Sequence, residues 1–160
     1  MNYKYNNFLN IINDILDNQT VQSLKLYKHH YGYNRLDHCI SVAYYTFLVC
    51  KFFKLDYISA TRGALLHDLF LYDCEFKPKF HIWKHPKVAL TNAQELFALN
   101  CIEKDVILKH MWPITFVPPK YIESLVVSFV DKFCAFKEWS NYCKNVIIYY
   151  SLVYFCTYKS

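Results

Sequence analysis

The 160-residue chain contains only two glycines, Gly32 and Gly63. Glycine-rich loops let backbone amides approach phosphate groups, and the P-loop and the G-x-G-x-x-G fingerprint both need several glycines close together. Two isolated glycines cannot form either motif. The sequence therefore excludes the common nucleotide-binding loops.

Long apolar runs and clusters of like charge are also missing. The most apolar segment, residues 146–158, is interrupted by Ser151 and Thr157 and falls short of the roughly 20 residues that a membrane-spanning helix needs. We expect it to form a buried terminal helix. The net charge of +5 is dispersed along the chain and forms no basic tail. We therefore expect neither a membrane nor a polymeric nucleic acid as a partner.

The seven cysteines form an odd set without a C-x-x-C pair, which argues against a disulfide framework. Unpaired thiols in apolar segments are typical of proteins in a reducing compartment. The first residues also lack the uninterrupted apolar segment of a signal peptide. We therefore expect a cytoplasmic protein.

Apolar residues are abundant and recur at helical spacing. Hydrophobic residues make up 54% of the chain and charged residues 19%, as in folded proteins, and this length predicts one domain over residues 1–160. No segment alternates as a strand would, so we predict an all-α bundle of about six to eight helices. The predicted helices cover residues 6–17, 20–27, 35–53, 57–68, 85–99, 103–111, 120–139 and 142–158, with loops at residues 28–34 and 71–84.

Histidine and aspartate residues stand at informative places in these helices. The pair His67-Asp68 directly follows the apolar residues 63–66, and Asp131 interrupts the apolar segment 125–133. Burying such groups is costly unless they are paired or bind a metal. Imidazole and carboxylate ligands together suit iron, manganese, zinc or magnesium, and the absence of cysteine argues against a closed structural zinc site. The candidate ligands are His38, His67, Asp68, His85, His110 and Asp131.

The order of these residues resembles the signature of the HD-domain superfamily of metal-dependent phosphohydrolases. That signature is a histidine, a histidine-aspartate pair and a distant aspartate, here His38, His67-Asp68 and Asp131. The resemblance covers about residues 35–139. It implies a five-helix HD core, with the N-terminal helices (6–27) and the C-terminal helix (142–158) packed on it.

His85 and His110 resemble the two extra histidines of the HD branches that bind two metals. The resemblance implies one or two divalent ions (Fe, Mn, Mg or Zn), with Asp68 as the bridge between them. It also implies hydrolysis of a phosphoester or phosphoanhydride, of a nucleotide or dinucleotide, by a metal-bound hydroxide. Asp68, His67 and Arg35 are then the expected catalytic residues.

Positively charged residues near these ligands are candidates for binding the substrate phosphate. The chain has two arginines, Arg35 and Arg62, whose guanidinium groups suit bidentate phosphate binding, although Arg35 could instead pair with Asp37 or Asp73. Further candidates are His81, Lys84 and Lys132. His29 and His30 lie in a polar loop, where we expect them to be exposed to solvent.

Two classes of function are compatible with this pattern. The first is the phosphohydrolase, acting on a small phosphorylated substrate as a monomer or homodimer. The alternative is a non-catalytic HD-fold regulatory module that binds metal and a nucleotide or a signalling phosphate. Metal content and hydrolysis distinguish the two.

Overall fold

A computed structural model describes the backbone of residues 3–29, 32–72 and 81–158, and the side chains of residues 5–29, 32–72 and 81–148. Over this part of the chain the secondary structure is helical, without a strand, so the predicted all-α bundle is confirmed. The helices are α1 (Tyr3–Leu16), α2 (Gln19–Gln22), a 3₁₀ helix (Ser23–Leu26), α3 (Arg35–Phe52), α4 (Tyr57–Leu66), α5 (His81–Leu96), α6 (Cys101–Lys109) and α7 (Ile122–Tyr158).

Three asparagine and aspartate residues define where the central helices begin. Asn34 and Asp56 cap α3 and α4, where their side chains accept hydrogen bonds from the amides of Asp37 and Ser59. Asn100 caps α6 and forms a capping box with Glu103. Such caps satisfy amides that the first turn of a helix leaves without partners. The capped starts fix the register of the helices that carry the site residues.

The C-terminal part of the chain differs from the prediction of two helices. Residues 122–158 form the single helix α7, because no glycine or proline separates the two predicted segments and Ser140-Asn141 lowers helix propensity only slightly. Ile147 and Ile148 are 65% and 56% exposed, so the expected buried terminal helix is not buried over its described side chains. No helix in the described residues has the length and hydropathy to cross a membrane.

The helix α3 forms the centre of the bundle. It packs against α4 and α7, while α4 also contacts α1 and α6, and α6 contacts α5 and α7. The core contains fully buried side chains from several of these helices, including Ile12, Phe47, Leu65 and Ile107. This packing brings the C-terminal ends of α4 and α6 next to the start of α3 and the middle of α7.

Gly63 lies where α4 packs closely on α6, and its replacement by alanine is expected to destabilise the fold. A Cβ at this position would lie 2.9 Å from Val106 Cβ and Cγ1 and 3.3 Å from Glu103 Cα. Alanine gains up to about 1 kcal/mol of helix propensity over glycine, but overpacking a tight core costs about 1–3 kcal/mol, so the steric effect should dominate. Denaturant unfolding of Gly63→Ala measures the difference.

The companion variant Val106→Ala isolates the cause of this loss. If the clash with Cγ1 destabilises Gly63→Ala, the double variant should lose less stability than the two single variants together, because Val106→Ala removes Cγ1 while the contact with the Cβ atom of residue 106 remains. Additive losses would show that the contact with Val106 Cγ1 is not the cause.

Candidate metal centre

The candidate metal ligands come from five helices and meet at one end of the bundle. His38 lies in the second turn of α3, His67 and His110 are the C-caps of α4 and α6, and Asp131 lies inside α7. Asp68 follows His67 directly, and His85 lies in α5, which begins at His81 rather than at the predicted His85. The structure therefore brings together all six residues named from the sequence: His38, His67, Asp68, His85, His110 and Asp131.

Three of the histidines are held in the same way. The Nδ1 atoms of His67 and His110 lie 2.7 Å and 2.8 Å from the carbonyl oxygens of Ala64 and Ile107, and His85 Nδ1 lies 3.0 Å from the carbonyl oxygen of His81. An Nδ1–H that donates to a carbonyl leaves Nε2 as the atom available to a metal. Backbone carbonyls thus direct three imidazole Nε2 atoms into the cluster.

Asp68 lies between two groups of potential ligands. Its Oδ1 is 3.5 Å from Nε2 of both His85 and His110, and its Oδ2 is 3.8 Å from His67 Nε2. Two of the three groups of described residues able to hold a metal ion contain it, namely His38, His67 and Asp68, and Asp68, His85 and His110; the third is His29, His38 and Glu138. Asp68 is therefore the carboxylate that the two groups share.

Asp131 extends the first of these groups. Its Oδ1 lies 3.0 Å from His38 Nε2 and 3.6 Å from His67 Nε2. The carboxylates of Asp68 and Asp131 thus both lie close to His67 Nε2, at 3.8 Å and 3.6 Å. The first group therefore offers two imidazoles and two carboxylates.

The cluster contains buried polar atoms that a divalent cation would satisfy. His67 Nε2 and Asp68 Oδ1 are buried and have no hydrogen-bond partner among the described residues. A buried polar atom without a partner costs about 1–3 kcal/mol. The Nε2 atoms of His85 and His110 lie 2.9 Å apart, within hydrogen-bond distance of each other and close enough to converge on one ion. The donor set of nitrogen and oxygen atoms therefore fits a divalent metal.

Without a metal ion, two of the candidate histidine ligands carry a proton and a positive charge. Burial lowers the pKa of His38, but its hydrogen bonds to the carboxylates of Asp131 and Glu138 outweigh burial and raise the pKa to about 10. Burial also opposes the charged form of His67, yet the Asp68 carboxylate holds its pKa well above the usual value. Burial lowers the pKa of His110 to about 3, so this imidazole is neutral.

The two aspartates are ionised in the same state. Burial would raise the pKa of Asp68, but the charge on His67 lowers it far below its usual range. Burial is likewise outweighed at Asp131, where the hydrogen bond with His38 and the charge on His67 keep the pKa well below the usual value. Two imidazolium groups, His38 and His67, thus lie beside the ionised carboxylates of Asp68 and Asp131.

Metal binding is expected to release about two protons per chain near pH 7, because His38 and His67 must become neutral to act as ligands. The raised pKa of both groups means that metal affinity should increase with pH up to about 10 and fall in acid. Calorimetry of Mn²⁺ binding in two buffers with different ionisation enthalpies measures the release. His38→Gln should release about one proton fewer. Binding without proton release would contradict this assignment of charge.

Sequence reasoning missed Glu138. Its Oε1 lies 2.8 Å from His38 Nδ1, and the residue is only 6% exposed. Glu138 follows Asp131 by two helical turns on α7, so both carboxylates lie on the face that meets α3. The sequence signal that could have identified it is an acid seven residues after Asp131. A carboxylate on the second ring nitrogen orients a histidine that binds metal through the first.

His29 was expected in solvent, and that prediction is wrong. Its ring stacks on His38 with 4.0 Å between centroids, and the residue is only partly exposed and lines the cavity above the cluster. A β-bridge between Lys28 and Asn34 positions the adjacent His29, and Gly32 has a φ of 87°. His30 lies outside the described residues.

The guanidinium of Arg35 is buried and bound to backbone carbonyls rather than positioned to bind a substrate. Its guanidinium donates hydrogen bonds to the carbonyl oxygens of Phe70 and Tyr72 at 2.6 Å and 3.0 Å, and it lies 3.7 Å from the centroid of the Phe70 ring. The side chain is fully buried. The prediction that Arg35 acts in catalysis or binds substrate is therefore wrong, because the guanidinium anchors the segment after His67-Asp68. Asp37 instead bonds with Asn34, and Asp73 lies outside the described residues.

Arg62 is also bound elsewhere. It donates two hydrogen bonds to the Asp14 carboxylate, at 2.7 Å and 2.8 Å, and one to Glu103 at 3.2 Å. These contacts tie α4 to α1 and α6. The predicted role of Arg62 in substrate binding is wrong, since its guanidinium is satisfied away from the cluster.

A cavity of about 300 Å³ opens above the cluster. Asp68, His85, His110 and Asp131 lie at its polar side. Of the predicted substrate ligands, His81 and Lys132 line it, whereas Lys84 is exposed on the first turn of α5 and is not among its lining residues. The cavity gives small molecules access to the cluster.

Lys132 lies at the edge of the cluster. Its Nζ donates to the carbonyl oxygens of His110 and Ser128 at 2.8 Å and 3.0 Å, and it lies 3.7 Å from Asp131 Oδ2. Burial lowers the pKa of Lys132, partly offset by Asp131. The ammonium is thus positioned beside the candidate ligands.

The chain matches no protein-family model, no curated protein and no solved structure. The arrangement offers buried metal ligands beside a space for a small molecule.

Proposed function

We propose that this protein is an HD-type, metal-dependent phosphohydrolase that holds two divalent ions and hydrolyses a phosphoester or phosphoanhydride bond. The observation that carries the proposal is the position of Asp68, whose carboxylate belongs to both ligand groups. Sites with two ions characteristically hold them close together for an in-line displacement at phosphorus. The order of His38, His67-Asp68 and Asp131 in the sequence, which resembles the HD signature, supports the same function.

The ligands divide between the two positions. His38, His67 and Asp131 would hold the first ion, His85 and His110 the second, and Asp68 would contact both. Bound ions of this kind polarise phosphoryl oxygens and lower the pKa of water toward about 7. The protein's own part is to fix the imidazoles by carbonyl hydrogen bonds and to keep both carboxylates ionised.

Lys132 and His81 serve the substrate in this proposal. The Lys132 ammonium lines the cavity next to Asp131, where it would neutralise part of the charge of a phosphoryl group. On the side of the cavity formed by α5, His81 Nδ1 lies 3.1 Å from the Tyr72 hydroxyl, a pair that can hold a proton for the leaving oxygen. The two groups thus lie on different helices around one small space.

Metal content and phosphate release test the proposal together. Protein prepared without a histidine tag is stripped and reconstituted with Fe²⁺, Mn²⁺, Zn²⁺ or Mg²⁺, and the bound metal is measured by elemental analysis. We expect about two equivalents and metal-dependent hydrolysis of p-nitrophenyl phosphate. His110→Ala should retain about one equivalent, because it removes a ligand of one position only.

The remaining outcomes separate the alternatives. Failure to bind any of these ions would refute the metal-dependent enzyme. Stoichiometric metal without hydrolysis of any phosphate ester or anhydride would instead support a regulatory module that binds a phosphorylated ligand.

A further inference from the structure

Apart from the metal ligands and His29, His81 and Lys132, the described residues that line the cavity are apolar. Phe70, Ile82, Met111, Ile114 and Ala135 line it, and none of these side chains carries a hydrogen-bonding group. Ile82 and Ile114 are 43% and 50% exposed at its rim. A ligand that covers them gains about 25 cal/mol for each Å² of apolar surface removed from water. This apolar part of the walls therefore favours an apolar group over the polar edge of a nucleobase.

Among the described residues that line the cavity, lysine and arginine side chains are limited to one place. Lys132 is the only lysine or arginine among the described lining residues. Neither arginine lines the cavity: Arg35 is bound to the carbonyl oxygens of Phe70 and Tyr72, and Arg62 to the Asp14 carboxylate. A chain of several phosphates would extend beyond Lys132 and the ions onto the apolar walls. Placing such charges there without partners is costly.

The size of the cavity also favours a small substrate with one phosphate group. At about 300 Å³ it lies at the lower end of the range of about 300–1,000 Å³ that is typical of small-molecule sites. Dinucleotides and dinucleoside polyphosphates contain two nucleosides and are far larger than a single ring with one phosphate. The volume therefore suits one phosphoryl group with a compact organic part.

We propose that the substrate is a phosphate monoester of a compact, largely apolar alcohol, rather than a nucleotide or a polyphosphate. This inference depends on the proposed phosphohydrolase function and narrows its substrate class. The phosphoryl group lies at the metal ligands and Lys132, and the organic group lies against Ile82, Met111 and Ile114. Water attacks phosphorus, the bond from phosphorus to the ester oxygen breaks, and the products are the alcohol and inorganic phosphate.

Benzyl phosphate and AMP provide the decisive comparison, since both are esters of primary alcohols with similar intrinsic reactivity. We expect the metal-loaded protein to hydrolyse benzyl phosphate with a kcat/KM at least about tenfold above that for AMP, ATP or diadenosine tetraphosphate. Ile114→Asn should lower kcat/KM for benzyl phosphate by about tenfold, because it replaces an apolar wall by an amide. The matched control is Ile147→Asn, which makes the same change at an exposed position on α7 and should have no effect.

A binding measurement keeps the inference testable if no turnover is seen. Calorimetry with benzylphosphonate, which is not hydrolysed, should show binding at least about tenfold tighter than AMP, and Ile114→Asn should remove the preference. Preference for AMP or for a polyphosphate, in turnover or in binding, would overturn the substrate class while leaving the hydrolase intact. Metal-dependent preference for benzylphosphonate without hydrolysis of any ester would uphold the ligand class and contradict the enzyme.

Discussion

Replacement of Asp68 by asparagine is expected to remove both metal ions and to lower kcat/KM by about three orders of magnitude or more. Asp68 is the residue that the two ligand groups share, with Oδ1 at 3.5 Å from His85 and His110 and Oδ2 at 3.8 Å from His67. Asparagine keeps the shape of the side chain but loses its negative charge. Elemental analysis and phosphate release, measured on the same preparation, test both effects.

The matched control for this change is Asp17→Asn, which removes the same charge from an exposed residue near the end of α1. It should retain wild-type metal content and turnover. Thermal unfolding of both metal-free variants separates loss of ligand from loss of fold. Retention of two ions by Asp68→Asn would show that this carboxylate does not bridge the two positions.

The donor set of the site could be predicted because its members have local signals. His67-Asp68 ends one apolar helix, and Asp131 interrupts a second apolar helix. Each pattern indicates a buried charge that needs a partner or a metal ion. The order of His38, His67-Asp68 and Asp131 along the chain then identified these residues as one candidate ligand set. What local patterns do not contain is the geometry, such as the carbonyl of Ala64 that orients His67. That contact depends on how α4 ends.

The roles of the arginines could not be predicted for a physical reason. Arg35 reaches carbonyl oxygens 35 and 37 residues later in the chain, and the burial of its guanidinium against Phe70 depends on tertiary packing. From composition alone, a rare arginine near a proposed phosphate site favours phosphate binding. The structure shows that a helical bundle can use the same group to hold a loop whose carbonyls lack helical partners.

Helix number was predictable within its range, but helix ends were less so. The predicted break after Trp139 required a residue that stops a helix, and Ser140-Asn141 is only a weak one, so α7 continues. This continuity has a consequence for the site, because Asp131 and Glu138 then occupy one rigid helix at a fixed spacing. A break closer to Asp131 would have left Glu138 free of that constraint.

Glu138→Gln is expected to weaken metal binding by about 10–100-fold, although Glu138 belongs to neither metal group around Asp68. Its carboxylate accepts a hydrogen bond from His38 Nδ1 at 2.8 Å, which aims Nε2 toward Asp131 and the first metal position. The amide keeps the size of the side chain but gives a weaker and less directional partner for the imidazole. Calorimetric titration with Mn²⁺ as a function of pH measures the loss.

The pH dependence of Mn²⁺ affinity distinguishes an effect of Glu138 on His38 from simple damage to the fold. Two carboxylates raise the pKa of His38 to about 10 in the metal-free protein, and the removal of one charge lowers it. Less proton competition then partly compensates the variant in acid, so its deficit in affinity should be smaller at pH 6 than at pH 9. Glu95→Gln, the same change at an exposed residue of α5, is the control and should match wild type at every pH. A deficit that is uniform across pH would show that Glu138 does not act through the charge on His38, and its carboxylate would then serve only to pack α7 against α3.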